Sequence, residues 1–163
     1  MKVVAAIIIA SAALLLVVDK FSWHSSNVRR SYHYRRKNYM MTPAENIFYE
    51  VLLELVGANL LVWPQVHLSE IVDWKINGQN WRAALAVIQR KSVDFVIADR
   101  ARRRTLLAIE LDDSSHQQTD RRQRDELVET ILAEAGVPLL RVKNSAHYDK
   151  AKLKSQIISA LVN

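Results

Sequence analysis

The sequence predicts an α/β fold, a mixed sheet flanked by helices and preceded by one N-terminal transmembrane helix. Three observations carry that expectation. Stretches of helical and strand periodicity alternate from residue 42 onward. One strand–helix–strand passage near the C-terminus is long enough for a parallel crossover, right-handed by rule. An unbroken apolar run opens the chain. The 163 residues suit one domain with an appendage. Half are hydrophobic and a quarter charged, with three Gly, three Pro and no Cys, which excludes disorder, collagen-like repeats, disulfide scaffolds, thiol chemistry and Cys-based zinc sites.

The net charge of +6 is unevenly placed. Residues 1–41 hold seven Lys/Arg and one acid, whereas residues 42–163 hold sixteen of each sign, so the folded part is neutral and a global argument for nucleic-acid binding fails. Val3 to Val18 is apolar or small throughout, bounded by Lys2 and by Asp19 and Lys20. At ~1.5 Å per residue it reaches about 24 Å, short of a roughly 30 Å hydrocarbon core, with snorkelling lysines and interfacial Phe21 and Trp23 to make up the difference. A cleaved signal peptide would end in small residues, but the run ends Leu14-Leu15-Leu16-Val17-Val18, so an uncleaved anchor over 1–21 is expected. Lys20, Arg29, Arg30, Arg35, Arg36 and Lys37 follow it and only Lys2 precedes it, which predicts a single-pass inner-membrane protein with its C-terminal domain in the cytoplasm. The basic linker 22–41, with His and Tyr among its cations, suits anionic headgroups; nucleic-acid contact is the rival reading.

In the domain 42–163, Thr42 to Gly57 reads as a helix: Thr42 caps it, Pro43 opens it, and Phe48, Val51, Leu52 and Leu55 recur at helical spacing. Leu60 to Leu68 reads as an edge strand because Pro64 cannot donate to a ladder. Ile71 to Ile88 reads as a loop turning at Gly78, then a short helical piece. Val93 to Ala98 and Leu106 to Asp112 form an antiparallel hairpin across the basic turn Asp99 to Arg104. Thr119 to Ala135 is helical with Gly136 as its stop, Pro138 to Val142 is a buried strand, and a terminal helix runs from about Asp149 to Leu161.

A hairpin turn centred on Arg102 sets Asp94 opposite Glu110. Cross-strand neighbours lie about 4.5–5.5 Å apart, and like charges that close destabilise a sheet unless a proton or a cation sits between them. Hard carboxylate oxygens so placed suit Mg²⁺ or Mn²⁺. The other reading is a slipped register, or neutralisation by Arg122 or Arg141.

Val93-Asp94-Phe95-Val96-Ile97, Ala108-Ile109-Glu110-Leu111-Asp112-Asp113-Ser114-Ser115-His116, Arg122-x-x-Asp125 and Gly136-Val137-Pro138-Leu139-Leu140-Arg141-Val142 together resemble the PD-(D/E)xK restriction-endonuclease-like superfamily. They are most similar to its branch near the very short patch repair endonucleases, and there to a bacterial domain family of unknown function with an N-terminal membrane anchor. The resemblance covers about residues 42–143. It implies a restriction-endonuclease-like mixed sheet and metal-dependent phosphodiester hydrolysis, with Asp94 and Glu110 as metal-binding acids and the Leu111 carbonyl as a further ligand. The superfamily's lysine, two residues after the second acid, is Asp112 here, which leaves His116 as the candidate for its role.

Glu45 matches the superfamily's helix-borne acid and equally completes a capping box with Thr42. His116 is either functional or a loop-stabilising hydrogen-bond partner. Arg121, Arg122 and Arg124 are read as structural, Arg102 to Arg104 as solvated surface, and Trp63, Trp74 and Trp81 as packing residues. Two functions follow: a nuclease or nucleic-acid-processing module that uses Mg²⁺ or Mn²⁺, or a non-catalytic pseudo-nuclease that binds nucleic acid or protein.

Overall fold

A computed structural model describes residues 32–112 and 119–162. Residues 39–162 form one unit, and residues 32–38 contain no helix or strand. Helix α1 (Pro43–Leu55) begins in a reciprocal cap: the Thr42 N–H donates to Glu45 Oε2 at 2.6 Å and the Glu45 N–H donates to Thr42 Oγ1 at 3.3 Å. Pro43 opens the first turn, where its missing N–H costs nothing. Strand β1 (Leu60–His67) follows, then a short 3₁₀ turn (Leu68–Glu70) and a loop. Asn80 caps helix α2 (Trp81–Ile88) through Oδ1, which accepts from the Ala83 N–H at 3.2 Å.

Strands β2 (Ser92–Asp99) and β3 (Thr105–Asp112) form the hairpin. Helix α3 (Thr119–Glu134) leads to β4 (Leu139–Lys143), and Asp149 caps helix α4 (Lys150–Val162) by accepting from the Lys152 N–H at 3.0 Å. After α3 the chain reverses at Gly136, whose φ of +67° is a left-handed conformation that favours glycine.

The sheet order is β1-β2-β3-β4, antiparallel except for the parallel pair β3–β4 that the α3 crossover connects. β1 is an edge, where Pro64 is tolerated. Helices α1 and α4 cover one face, burying Phe48, Leu52, Phe95, Ile97, Leu107, Ile109, Leu153 and Ile157. Helices α2 and α3 cover the other, over Val93, Val96, Ala98, Ala108, Val128 and Leu132. Full burial of each large side chain contributes roughly 1.5–3 kcal/mol, and the Phe48 ring meets Phe95 edge-on at 5.4 Å, fixing α1 against β2.

The alternation of faces breaks at one place. Val93 packs under α2 and α3 while Phe95, two residues on, packs under α1 and α4. On β1 the same switch separates Val62 from Val66, and Gln65 between them has φ +54°. The β1–β2 ladder skips the Gln65–Asp94 pair. Both strands therefore turn over together beside Asp94, and a non-glycine residue in this conformation costs of order 1 kcal/mol or more.

The fold class expected from the sequence is corrected here. The described residues form a mixed α/β domain with a four-stranded sheet and four α-helices, and no helix among them is long and apolar enough to cross a membrane. The longest, α3, has 16 residues, about 24 Å at ~1.5 Å per residue, and it is rich in charge. The apolar run Val3 to Val18, and with it the anchor 1–21 and most of the linker 22–41, lies outside the described residues. The restriction-endonuclease-like class with a leading transmembrane helix therefore gives way to this plain α/β description.

Candidate functional site

The hairpin register decides what the acids of β2 and β3 do. Phe95 pairs with Ile109, Val96 with Ala108 and Ile97 with Leu107, so the same register carried one step toward the open end sets Asp94 opposite Glu110. A bulge between Ile97 and Ala98 absorbs the irregularity of the turn and leaves the open end in phase. The two carboxyl groups are close enough for the Asp94 charge to act on Glu110, and the Leu111 N–H donates to Asp94 Oδ2 at 2.8 Å.

Burial pushes the Glu110 carboxyl up to about 8, and the neighbouring Asp94 charge adds to it. The Arg141 guanidinium pulls the other way, and Asp125 of α3 adds a smaller push upward. Without a cation this pair holds a proton at neutral pH.

Arg141 reaches the site from β4, where it is the register partner of Glu110. Its Nη1 donates to Asp112 Oδ1 at 3.0 Å, and its Nε lies 3.9 Å from Glu129 Oε2. Asp112, at the position where the resemblance expects lysine, is thus the acceptor in an ion pair. Both oxygens of Glu45 are engaged: Oε2 accepts from the Thr42 N–H, and Oε1 accepts from Gln65 Nε2 at 3.0 Å. Glu45 is joined through Gln65 to the strand position opposite Asp94.

The structure therefore brings Asp94, Glu110 and Leu111 together, with Arg141 beside them, and gives Asp112 and Glu45 protein partners. His116 and Asp113 lie outside the described residues, as do the side chains of Arg121, Arg122 and Arg124. Sequence reasoning missed Gln65. Pro64 marks the edge strand but says nothing of the left-handed residue after it. The sequence offers Arg141 as a partner for the acids without fixing which one, because the parallel register of β4 is set by a crossover rather than by local spacing.

Carboxylate oxygens are the donor type that a hard divalent cation takes. Two opposed carboxyl groups, with the Asp94 charge disfavouring ionisation of Glu110, are what such an ion would neutralise. Among the described residues no group of three or more His, Cys, Asp or Glu side chains is arranged to hold a metal, so a cation here would take its remaining ligands from the backbone, water or substrate.

Fold and site together define a class: a mixed α/β domain with a paired-carboxylate site at the open end of a β hairpin. Within it, the chain belongs to the family described as Protein of unknown function (DUF2726), which matches residues 37–161. No curated protein and no solved structure matches the chain. The family description names no activity and gives no link to the PD-(D/E)xK superfamily.

Proposed function

We propose that the Asp94–Glu110 pair, with the Leu111 carbonyl, holds Mg²⁺ or Mn²⁺ and that the domain hydrolyses phosphodiester bonds of nucleic acid, as the likeness of these residues to the PD-(D/E)xK motif implies. The observation that supports it is the closeness of two carboxyl groups at a half-buried strand end, an arrangement that lowers stability unless a proton or a cation sits between them. Such an ion polarises a phosphate and makes a bound water a better nucleophile.

The chain's own residues orient and tune the pair. The Leu111 N–H fixes Asp94 through Oδ2. Arg141 favours the ionised form of Glu110 and supplies from β4 the positive charge that a β3 lysine would give. Its pairing with Asp112 and Glu129 holds the guanidinium on that side of the site. The test is cleavage of labelled single-stranded and duplex oligonucleotides by the 163-residue chain in Mg²⁺ or Mn²⁺. Cleavage is expected to stop in EDTA and to fall on the order of 10³-fold in Asp94→Asn, the scale seen when one group that stabilises transition-state charge is removed. Asp112 in place of lysine favours a second reading, a non-catalytic module that binds nucleic acid or protein. Binding without cleavage under every cation condition would select it.

A further inference from the structure

On the α2–α3 side of the sheet lies a group of residues that the carboxylate site does not use. Trp74 and Lys75 sit in the loop before α2, and Trp81 and Arg82 are its first two residues. The two indoles meet at 5.9 Å with their planes inclined by 39°. Lys75 Nζ stands 4.8 Å over the Trp74 ring and Arg82 Cζ stands 4.4 Å over the Trp81 ring. The four side chains are linked as one ladder of contacts, Lys75 to Trp74 to Trp81 to Arg82.

Sequence reasoning expects both tryptophans to be packing residues. Trp74 is half-buried and does pack against the core, but Trp81 is 41% exposed. Lys75 and Arg82 are exposed, and neither forms an ion pair with a carboxylate among the described residues. A cavity of about 250 Å³ opens beside the ladder, lined by Val72, Trp74, Ile76 and Ile131, with Asp73 and Glu134 also in its wall.

Helix α3 connects this region to the carboxylate pair. Asp125 is near enough to influence Glu110, while Ile131 and Glu134 line the cavity, six and nine residues further along, or about 9–14 Å at ~1.5 Å per residue.

We propose that Arg82 on Trp81, backed by Trp74 and Lys75, is a stacking platform for an unpaired base of a nucleic-acid strand whose backbone runs toward Asp94 and Glu110. This rests on the phosphodiester reading above and adds to it a substrate with a single-stranded segment. A guanidinium lying on an indole keeps its outer face for a base, and bases stack on such planes as they do on aromatic rings. The two cations offer phosphate contacts that the neutral domain as a whole does not. Asp73 and Glu134 repel phosphate from the cavity, so the apolar wall receives a base edge and the backbone stays on the cationic side.

The experiment is fluorescence anisotropy of a labelled single-stranded oligonucleotide and of its duplex, made in EDTA with the 163-residue chain carrying Glu110→Gln so that cleavage cannot intervene. Adding Lys75→Gln and Arg82→Gln is expected to weaken single-strand binding about tenfold, the scale of one lost stacked base. Adding Arg102→Gln and Arg104→Gln instead, which removes the same charge at the hairpin turn, is expected to cost less than about twofold, the stacked base being left in place. All four positions are exposed, and equal melting temperatures will show that each variant is folded. Equal losses in the two double variants, no loss at the platform, or no preference for the single strand over the duplex would overturn the proposal. None of these outcomes bears on cation binding at Asp94 and Glu110, which is measured separately.

Discussion

The two ends of one hairpin treat their acids in opposite ways. At the turn, Asp99 closes a loop: its Oδ1 accepts from the Arg102 N–H at 2.7 Å, and that bond, helped by the Ala101 N–H, holds its carboxyl below the usual range. At the open end, Glu110 faces Asp94 across the strands, half-buried, and its carboxyl is pushed up to about 8. The turn acid has found the donors that a carboxylate needs. At the open end the two carboxyl groups face one another, Asp94 accepting from the Leu111 N–H and the Arg141 guanidinium pulling the Glu110 value down.

The largest effect that can sharpen this contrast is the pH dependence of stability in EDTA. The folded-state value of Glu110 lies above its ordinary 4.5, so its contribution is full below about pH 4.5 and is lost as pH rises through about 8. Denaturant titrations should show the chain losing roughly 2–4 kcal/mol between pH 5 and pH 9. Glu110→Gln, which mimics the protonated acid, should flatten that slope and be the more stable protein at pH 9. NMR titration of Asp99 should meanwhile give a midpoint below the ordinary carboxylate range.

Next in size is an acid satisfied by its own helix. Thr42→Ala removes the side-chain half of the cap and should cost about 1 kcal/mol by chemical denaturation, with no dependence on divalent cations. Smallest is Arg141→Gln. Its half-exposed ion pair with Asp112 should be worth less than about 1 kcal/mol, yet the Glu110 midpoint should move further up, because a cation that favours the charged form is gone. A stability change without a shifted midpoint would make Arg141 a purely structural partner.

Much of this was legible because it is local. The α1 cap, the edge strand at Pro64, the stop at Gly136 and the Asp94–Glu110 register follow from spacing within a few residues or across one turn. What the sequence hid is carried by contacts distant in the chain. Gln65 reaches Glu45 across 20 positions, and Arg141 meets Asp112 across 29. The switch of faces at Gln65 and Asp94 breaks the two-residue alternation on which strand reading depends, and nothing in Trp63-Pro64-Gln65-Val66 announces it. Likewise Trp81 looks like core from its neighbours in sequence, and only its place at the start of a short amphipathic helix leaves it exposed.

The most direct measurement is the stability of the 163-residue chain at pH 8 in Mg²⁺ or Mn²⁺ against EDTA, for the wild type and for Glu110→Gln. A cation that replaces the shared proton at Asp94 and Glu110 should stabilise the wild type by about 2.7 kcal/mol at a hundred times its dissociation constant and leave Glu110→Gln unchanged. Equal stability of the wild type with and without either cation, or an equal gain in both proteins, would contradict the account of this pair as a cation site.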